Sequence, residues 1–231
     1  MQLDQILRTL PAGRRWSSHE LVAAVLREAI TTGQLKANQP LPQDEIATQL
    51  RVSHIPVREA LRQLQSEGLV DYQPNRGATV SALGPAEIAE IYEIRVILET
   101  AAIRQAVPHL TRAQLDRAGA ILHQGAQAHD GATWGSLDVE FHQLIYGLDR
   151  RPQLREMIAG LLRRVDRYWL THGLMLKYRE EFDREHAGLL AALERRDAEG
   201  ASRLLEQHLS GASRLLVAEL AAGEATAGAV A

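Results

Sequence analysis

Two short helices joined by only two residues constrain this chain more than any other feature. Pro42 opens a segment, residues 43–50, in which Ile46, Ala47 and Leu50 share one face at helical spacing. Arg51 and Val52 follow. Next comes Ser53, a residue suited to an N-cap, with Pro56 in the first turn, where a missing N–H costs little. Val57, Leu61 and Leu64 form the second apolar face, and Arg58 and Arg62 lie off it. A two-residue joint leaves room only for a tight helix-turn-helix. Gly68 stops the second helix. Residues 69–72 then read as a strand, residues 74–77 (Pro-Asn-Arg-Gly) as a turn and residues 78–80 as the returning strand. The pattern predicts a winged helix-turn-helix, a module that places one helix in the major groove of DNA. Its candidate DNA contacts are Ser53, His54, Ile55, Arg58 and Arg62 on the helix and Arg76 and Gly77 at the wing tip. Helix-turn-helix pairs also occur in plain helical packing; the basic hairpin tip and the arginines on the free face favour DNA.

The run Val52-Ser53-x-x-Pro56-Val57-Arg58-Glu59-Ala60-Leu61, with Glu67-Gly68-Leu69-Val70 and the Pro74-Asn75-Arg76-Gly77 turn, resembles the GntR family of bacterial transcription regulators. The likeness covers about residues 17 to 80. His54 and Ile55 stand where that family often has Arg and Thr. His54 falls at a base-reading position, so the resemblance does not carry an operator sequence over.

The 231 residues suffice for two small domains or one large one, and there is no cysteine to form a disulfide, a thiolate zinc site or a thiol nucleophile. This fits a reducing cytoplasm, the expected location. The longest purely apolar run, residues 21–26, is far too short to span a membrane, and no signal-peptide core is present. The net charge of −3 divides unevenly: residues 1–80 hold nine Lys/Arg against eight Asp/Glu, and the excess of acid lies beyond them. A near-neutral head on an acidic body still permits phosphate contacts, which depend on placement.

Residues 1–16 contain one possible helical turn (Leu3, Ile6, Leu7, Leu10) ended by Pro11, then Gly13-Arg14-Arg15. They are expected to form a loose arm, the alternative being a basic arm on the DNA backbone. The DNA-binding domain, residues 17–80, starts at a capping box from Ser17 to Glu20, and its first helix ends at Gly33. After Val80 strand alternation disappears, and Gly84-Pro85 marks a short linker. Six helices are expected, at about 85–107, 111–129, 133–148, 152–172, 175–196 and 197–221. The fold class is therefore mainly α: a winged helix-turn-helix, then an all-α six-helix bundle over residues 85–222 and a frayed tail, 223–231.

Polar residues on the apolar stripes carry the functional signal. His186 falls in line with Phe182, Leu189, Leu190 and Leu193, and His208 with Leu204, Leu205, Leu209 and Ala212. Asp138 and His142, four apart, share an edge of the stripe built from Leu137, Phe141, Leu144, Ile145 and Leu148. Arg95 and Glu99 interrupt another, beside Tyr92. A lone inward histidine is usually a satisfied core residue. Four inward polar groups are costly to bury, and one divalent cation could satisfy Asp138, His142, His186 and His208 together. The rival is a hydrogen-bonded polar cavity without metal. His172 ends the fourth bundle helix on its stripe and is expected to wall the cavity. Arg163, Arg164 and Arg167 read as mostly a solvated face, and His109, His123 and His129 as solvated.

Arg95-Val96-Ile97-Leu98-Glu99, Asp138-x-x-Phe141-His142, Glu185-His186 and His208-Leu209 are similar to motifs of the effector domain called FCD, which follows the GntR head in one large subfamily. The resemblance implies a divalent metal held by one Asp and three His, at Asp138, His142, His186 and His208. Six bundle helices point to its VanR-like branch. The ion could be zinc, nickel, manganese or iron. A cationic site favours a small carboxylate effector, with Arg95, Tyr92, Glu99 and His172 as its candidate contacts. The expected protein is a repressor acting as a homodimer on a palindromic operator, since one head covers one half-site. Two other readings compete. One is a regulator whose bundle holds an acyl-coenzyme A without metal. The other is a helical-bundle metalloenzyme, disfavoured because di-metal bundles use Glu-x-x-His pairs, which the chain lacks.

Overall fold

The computed structural model describes residues 3–7, 10, 15–73 and 77–228. The chain divides into two compact units, Met1–Leu83 and Gly84–Ala231.

The first unit runs α1 (Leu3–Leu7), α2 (Ser18–Thr31), α3 (Gln43–Leu50), α4 (His54–Ser66), β1 (Val70–Gln73) and β2 (Gly77–Val80). The strands pair antiparallel with Val70 opposite Val80 and Tyr72 opposite Ala78. Burial alternates as a one-faced hairpin requires, with Val70, Ala78 and Val80 inside and Asp71 outside. Arg51 turns the chain between α3 and α4 at φ +54°, so the joint is as tight as its length demands. Val57, Ala60, Leu61 and Leu64 of α4 are buried together with Leu26, Ile30 and Ile46. Glu67, at the end of α4, takes two hydrogen bonds from Arg27 of α2, one at 2.7 Å from Nε.

Three local expectations change here. The amino-terminal segment is not loose over residues 3–7: Leu3 and Ile6 are buried in the first core, and the Leu3 N–H donates to Gln49 at 3.0 Å. Two apolar side chains one turn apart are enough to dock so short a helix. Ser53 stands at the N-cap of α4 with extended backbone, yet its hydroxyl makes no capping bond. Pro56, at the third helical position, has no N–H to offer. The wing strands are displaced by one residue from the expected 69–72 and begin again at Gly77 rather than Ala78. Pro74, Asn75 and Arg76 lie outside the described residues, as do Pro11 to Arg14.

The second unit is helical throughout its described residues: α5 (Pro85–Ala106), a 3-10 turn at Val107–His109, α6 (Arg112–Ala126), α7 (Gly131–Ile145), a second 3-10 turn at Leu148–Arg150, α8 (Pro152–Thr171), α9 (Leu174–Lys177), α10 (Arg179–Glu194) and α11 (Ala198–Gly228). Gly84 and Pro85 start α5 as a helix start should, with Glu87 reaching back to accept the Gly84 N–H at 2.9 Å. α5 packs along α11, α6 against α7, and α10 against both α6 and α11.

The six-helix expectation becomes six long helices and a seventh of four residues, because the segment at 175–196 breaks at Tyr178. The Tyr178 hydroxyl donates to Glu219 of α11 at 2.5 Å, and Lys177 pairs with the same carboxylate. A tertiary anchor there overrides continuous helical periodicity. Met175 of α9 is seated by two glycines of α7: an added Cβ at Gly135 would come within 3.2 Å of its methyl, and one at Gly131 within 3.3 Å of its Cβ. The tail also differs. α11 continues through Gly228 instead of fraying from residue 223, in keeping with an alanine-rich sequence. Among the described residues, no helix is long and apolar enough to cross a membrane.

Candidate functional site

The recognition surface of the first unit is what α4 leaves uncovered. Its inward face takes up Val57, Leu61 and Leu64, so Ser53, His54, Ile55, Arg58 and Arg62 are all exposed. Ile55 is 71% exposed, an unusual placement for an isoleucine unless something apolar meets it. His54 Nδ1 lies 3.4 Å from Asp44 of α3. Among the described residues, neither Arg58 nor Arg62 is engaged in an ion pair, so both cations remain available. Gly77 opens β2 at φ +82°, a left-handed conformation that glycine adopts without strain. Arg76 lies outside the described residues.

In the second unit the polar interruptions of the stripes converge. α7 supplies Asp138 and His142, α10 supplies His186 and α11 supplies His208. The three histidines are buried, and their ligand-capable nitrogens lie within 4.8 Å of one another. The Nε2 atoms of His142 and His186 are 3.2 Å apart. Asp138 Oδ1 stands 3.2 Å from His186 Nε2 and 3.6 Å from His142 Nε2. That oxygen is buried and accepts no hydrogen bond among the described residues.

Neighbours fix which nitrogen His142 and His208 turn inward. Tyr146, one turn beyond His142, donates its hydroxyl proton to Glu99 of α5 at 2.6 Å, and its oxygen lies 2.8 Å from His142 Nδ1. A carboxylate only accepts, so the tyrosine proton is committed to Glu99, and His142 Nδ1 must carry the proton that completes the second bond. The Nε2 lone pair of His142 therefore faces the cluster. His208 Nδ1 is likewise bonded, at 2.7 Å, to Glu185 of α10, so Nε2 is the nitrogen it has left for the cluster. Arg95 closes the network by donating Nε–H to Glu99 at 2.7 Å, with its guanidinium 4.7 Å above the Tyr92 ring.

The electrostatics suit cation ligands. Burial first, then the neighbouring imidazoles, hold His142 well below the usual imidazole range, and burial followed by His208 does the same to His186. Both rings are neutral near pH 7. Burial pushes Asp138 up to about 6, against the pull of His208 and Arg95. Burial works against the Arg95 charge, but Glu99 more than offsets it and the guanidinium stays charged.

The residues fit a metal ion. With metal–nitrogen bonds of about 2.0–2.1 Å, two imidazole nitrogens on one ion stand about 3 Å apart at a right angle and about 3.4 Å apart at a tetrahedral one. The His142–His186 spacing falls between these, and the unsatisfied Asp138 oxygen lies beside it.

A cavity of about 40 Å³ adjoins the cluster, lined by Tyr92 and Arg95 of α5, Asp138 and His142 of α7, Asp166 and Trp169 of α8 and His208 of α11, among others. Of the four expected effector contacts, the cavity brings together Tyr92 and Arg95. Glu99 stands behind Arg95 as its counter-ion. His172 does not wall the cavity. It is exposed at the end of α8, where its ring stacks on Tyr168, because the helix stops one turn past the cavity wall. Arg167 is buried rather than solvated, with its guanidinium 4.7 Å over the Tyr168 ring, and Arg163 and Arg164 are half-buried. His109, His123 and His129 are exposed.

Tyr146 and Asp166 were not singled out from the sequence, and Glu185 entered only as the neighbour of His186 in the Glu185-His186 motif, with no role of its own. Tyr146 carried a usable signal, its position four residues after His142, and Glu185 adjoins His186. Asp166 sits one residue off an apolar stripe and had none.

Comparison with known proteins places the two units. The model for bacterial regulatory proteins of the gntR family matches residues 19–80, and the FCD domain model matches residues 90–211. The chain is 28% identical over 194 residues to the HTH-type transcriptional repressor RspR of Escherichia coli, covering 83% of this chain and 85% of that one. It is 32% identical over 195 residues to the HTH-type transcriptional regulator McbR of E. coli, covering 79% and 85%. The solved structure of E. coli McbR/YncC matches with a TM-score of 0.74 at 29% identity, covering 89% of this chain and 100% of that chain.

Proposed function

The chain belongs to the GntR family of transcription regulators, with an FCD domain after its DNA-binding head, and from that premise we propose that it represses transcription under the control of a small carboxylate bound at a divalent metal in the helical unit. The observation that carries this reading is the convergence of Asp138, His142, His186 and His208 on one buried point beside Arg95. The four residues would hold zinc, nickel, manganese or iron, and the ion would supply positive charge and open coordination positions for an anion. Arg95, kept charged by Glu99, would orient the carboxylate.

The size of the cavity favours this reading over a bulky acyl-coenzyme A. Its 40 Å³ has room for about three water molecules, which suits an acid of a few carbons. The family contains regulators rather than enzymes, which removes the metalloenzyme reading. A symmetric operator calls for two heads, and α5 exposes Ile94 and Ile97, three residues apart on one face, apolar side chains suited to meeting a second copy of the chain in a cytoplasmic homodimer. Effector binding then relieves repression through a coupling of about 1–3 kcal/mol, which alters occupancy several-fold.

Elemental analysis of tag-free protein purified without chelator, followed by titration of the stripped form, tests the metal. A fluorescence titration of operator DNA with and without small acids tests the effector. Binding of one divalent ion per chain at micromolar concentration, and weaker operator binding with acid present, are expected. If no ion binds, the four residues form a polar pocket and the metal reading is lost.

A further inference from the structure

Asp166 is the one carboxylate on the cavity wall that neither the metal-site geometry nor the Arg95–Glu99 pair employs. It projects from α8 beside Trp169, among the residues that enclose the space between Arg95 and the histidine cluster. Among the described residues no hydrogen bond or ion pair engages it; its neighbours act only through charge, Arg95 favourably and Asp138 and Glu99 unfavourably. Burial raises it to about 7, so its charge is costly where it stands.

Arg95 is already neutralised by Glu99 at 2.7 Å, so Asp166 is not needed as its counter-ion. Three neutral histidines, Asp138 and a divalent cation leave one positive charge, which a single effector carboxylate would cancel. An ionised Asp166 on the same wall would then repel a plain acid and, more strongly, a diacid. A hydroxyl or ammonium group placed against it would turn that repulsion into a charge-assisted hydrogen bond.

We infer that Asp166 reads a hydrogen-bond donor on the effector, so that the effector is a short acid carrying a hydroxyl or ammonium group next to its carboxylate. The inference rests on the carboxylate reading above and narrows it. Trp169, Phe182 and Leu209 leave only apolar wall for the short carbon skeleton.

The test uses full-length protein loaded with zinc and calorimetric titration with lactate, alanine, propionate and malonate. Wild-type protein is expected to bind lactate or alanine about 10- to 100-fold more tightly than propionate, the usual effect of one hydrogen bond to a charged group, and malonate least well. Asp166→Leu abolishes the preference while propionate still binds. Asp166→Asn, which keeps the shape should leucine disturb folding, loses preference for alanine most, because it removes the charge and keeps an acceptor. Equal affinity of wild-type protein for lactate, alanine and propionate overturns the inference and leaves the carboxylate reading standing. Binding of none of the four acids removes that reading and this inference with it. Loss of zinc from Asp166→Asn makes Asp166 a metal ligand and overturns its role as a reader.

Discussion

The hydroxyl of Tyr146 lies 2.6 Å from Glu99 and 2.8 Å from His142, and this single oxygen ties the anchor helix α5 to the ligand helix α7. It also sets the imidazole tautomer, because the proton it gives to Glu99 cannot serve His142.

Tyr146→Phe keeps the ring and removes the oxygen, leaving a buried carboxylate oxygen and a buried ring nitrogen without that partner. The expected cost is about 1–3 kcal/mol of stability, measured by denaturant unfolding of the metal-free protein. Affinity for the divalent ion should fall about 10- to 100-fold, the usual effect of losing a group that orients a ligand. Unchanged metal affinity would show that packing alone orients the ring.

Asp166 makes the stability of the metal-free protein pH-dependent in a direction that can be worked out. Its folded value of about 7 lies above the ordinary 3.8, so the native state holds the proton more tightly than the unfolded chain. The associated stability is fully present below about pH 4 and is lost as pH rises through about 7. His142 and His186, held low, act oppositely, gaining stability as pH rises toward the ordinary imidazole value, but they are common to both proteins being compared. Asp166→Asn should therefore match the wild-type Tm at pH 4 and exceed it increasingly up to about pH 8, in thermal scans with chelator. A constant difference across that range would show that Asp166 keeps its ordinary value.

At the recognition helix, Arg58→Ala and Ile55→Ala should separate two kinds of contact. If Arg58 meets a base edge, its loss costs roughly 1–3 kcal/mol on operator and relaxes specificity; if it meets phosphate, operator and random duplex weaken alike and the salt slope falls by about one. Ile55 can gain only from apolar contact, such as a thymine methyl. Its loss should weaken operator binding and spare random duplex. Gel-shift titrations at fixed salt decide both, and unchanged affinities in both variants would remove α4 from the interface.

Ile97, 67% exposed on α5, tests the proposed homodimer. Ile97→Asp should shift sedimentation toward the monomer and weaken operator binding, with helicity by circular dichroism preserved. A variant that remains dimeric would move the interface elsewhere.

The legible and illegible parts of this protein differ in the range of the forces behind them. The helix-turn-helix could be read because a two-residue joint and two apolar faces are local facts, and local geometry leaves them one arrangement. Asp138 and His142 were readable as a pair because four residues bring side chains onto one helical edge. His186 and His208 were readable because each interrupts an apolar stripe. Glu185 serving His208, 23 positions away, was not readable, since nothing in either helix states their facing. The break at Tyr178 escaped for the same reason, because its cause lies at Glu219. Arg167 misled because a charged residue beside other arginines looks solvated until a tyrosine ring covers it. His172 misled in the opposite sense, since periodicity continued one turn past the cavity it was expected to wall.

Arg95 and Ile97 stand two positions apart on α5, one buried at the cavity and the other open on the outer surface. Their α-carbons are separated by about 3 Å along the helix axis, and a backbone ladder that cannot stretch connects them. In the proposed homodimer, a partner pressing on the outside of this helix would be felt at Arg95, and an acid seizing Arg95 would be felt outside. Equilibrium thermodynamics makes that exchange symmetrical: a small acid that loosens the grip on Ile97 must itself be held less tightly whenever that grip is strong. In the proposed homodimer, effector affinity would thus be a property of the assembled particle, and it should drift with protein concentration wherever the assembly is incomplete.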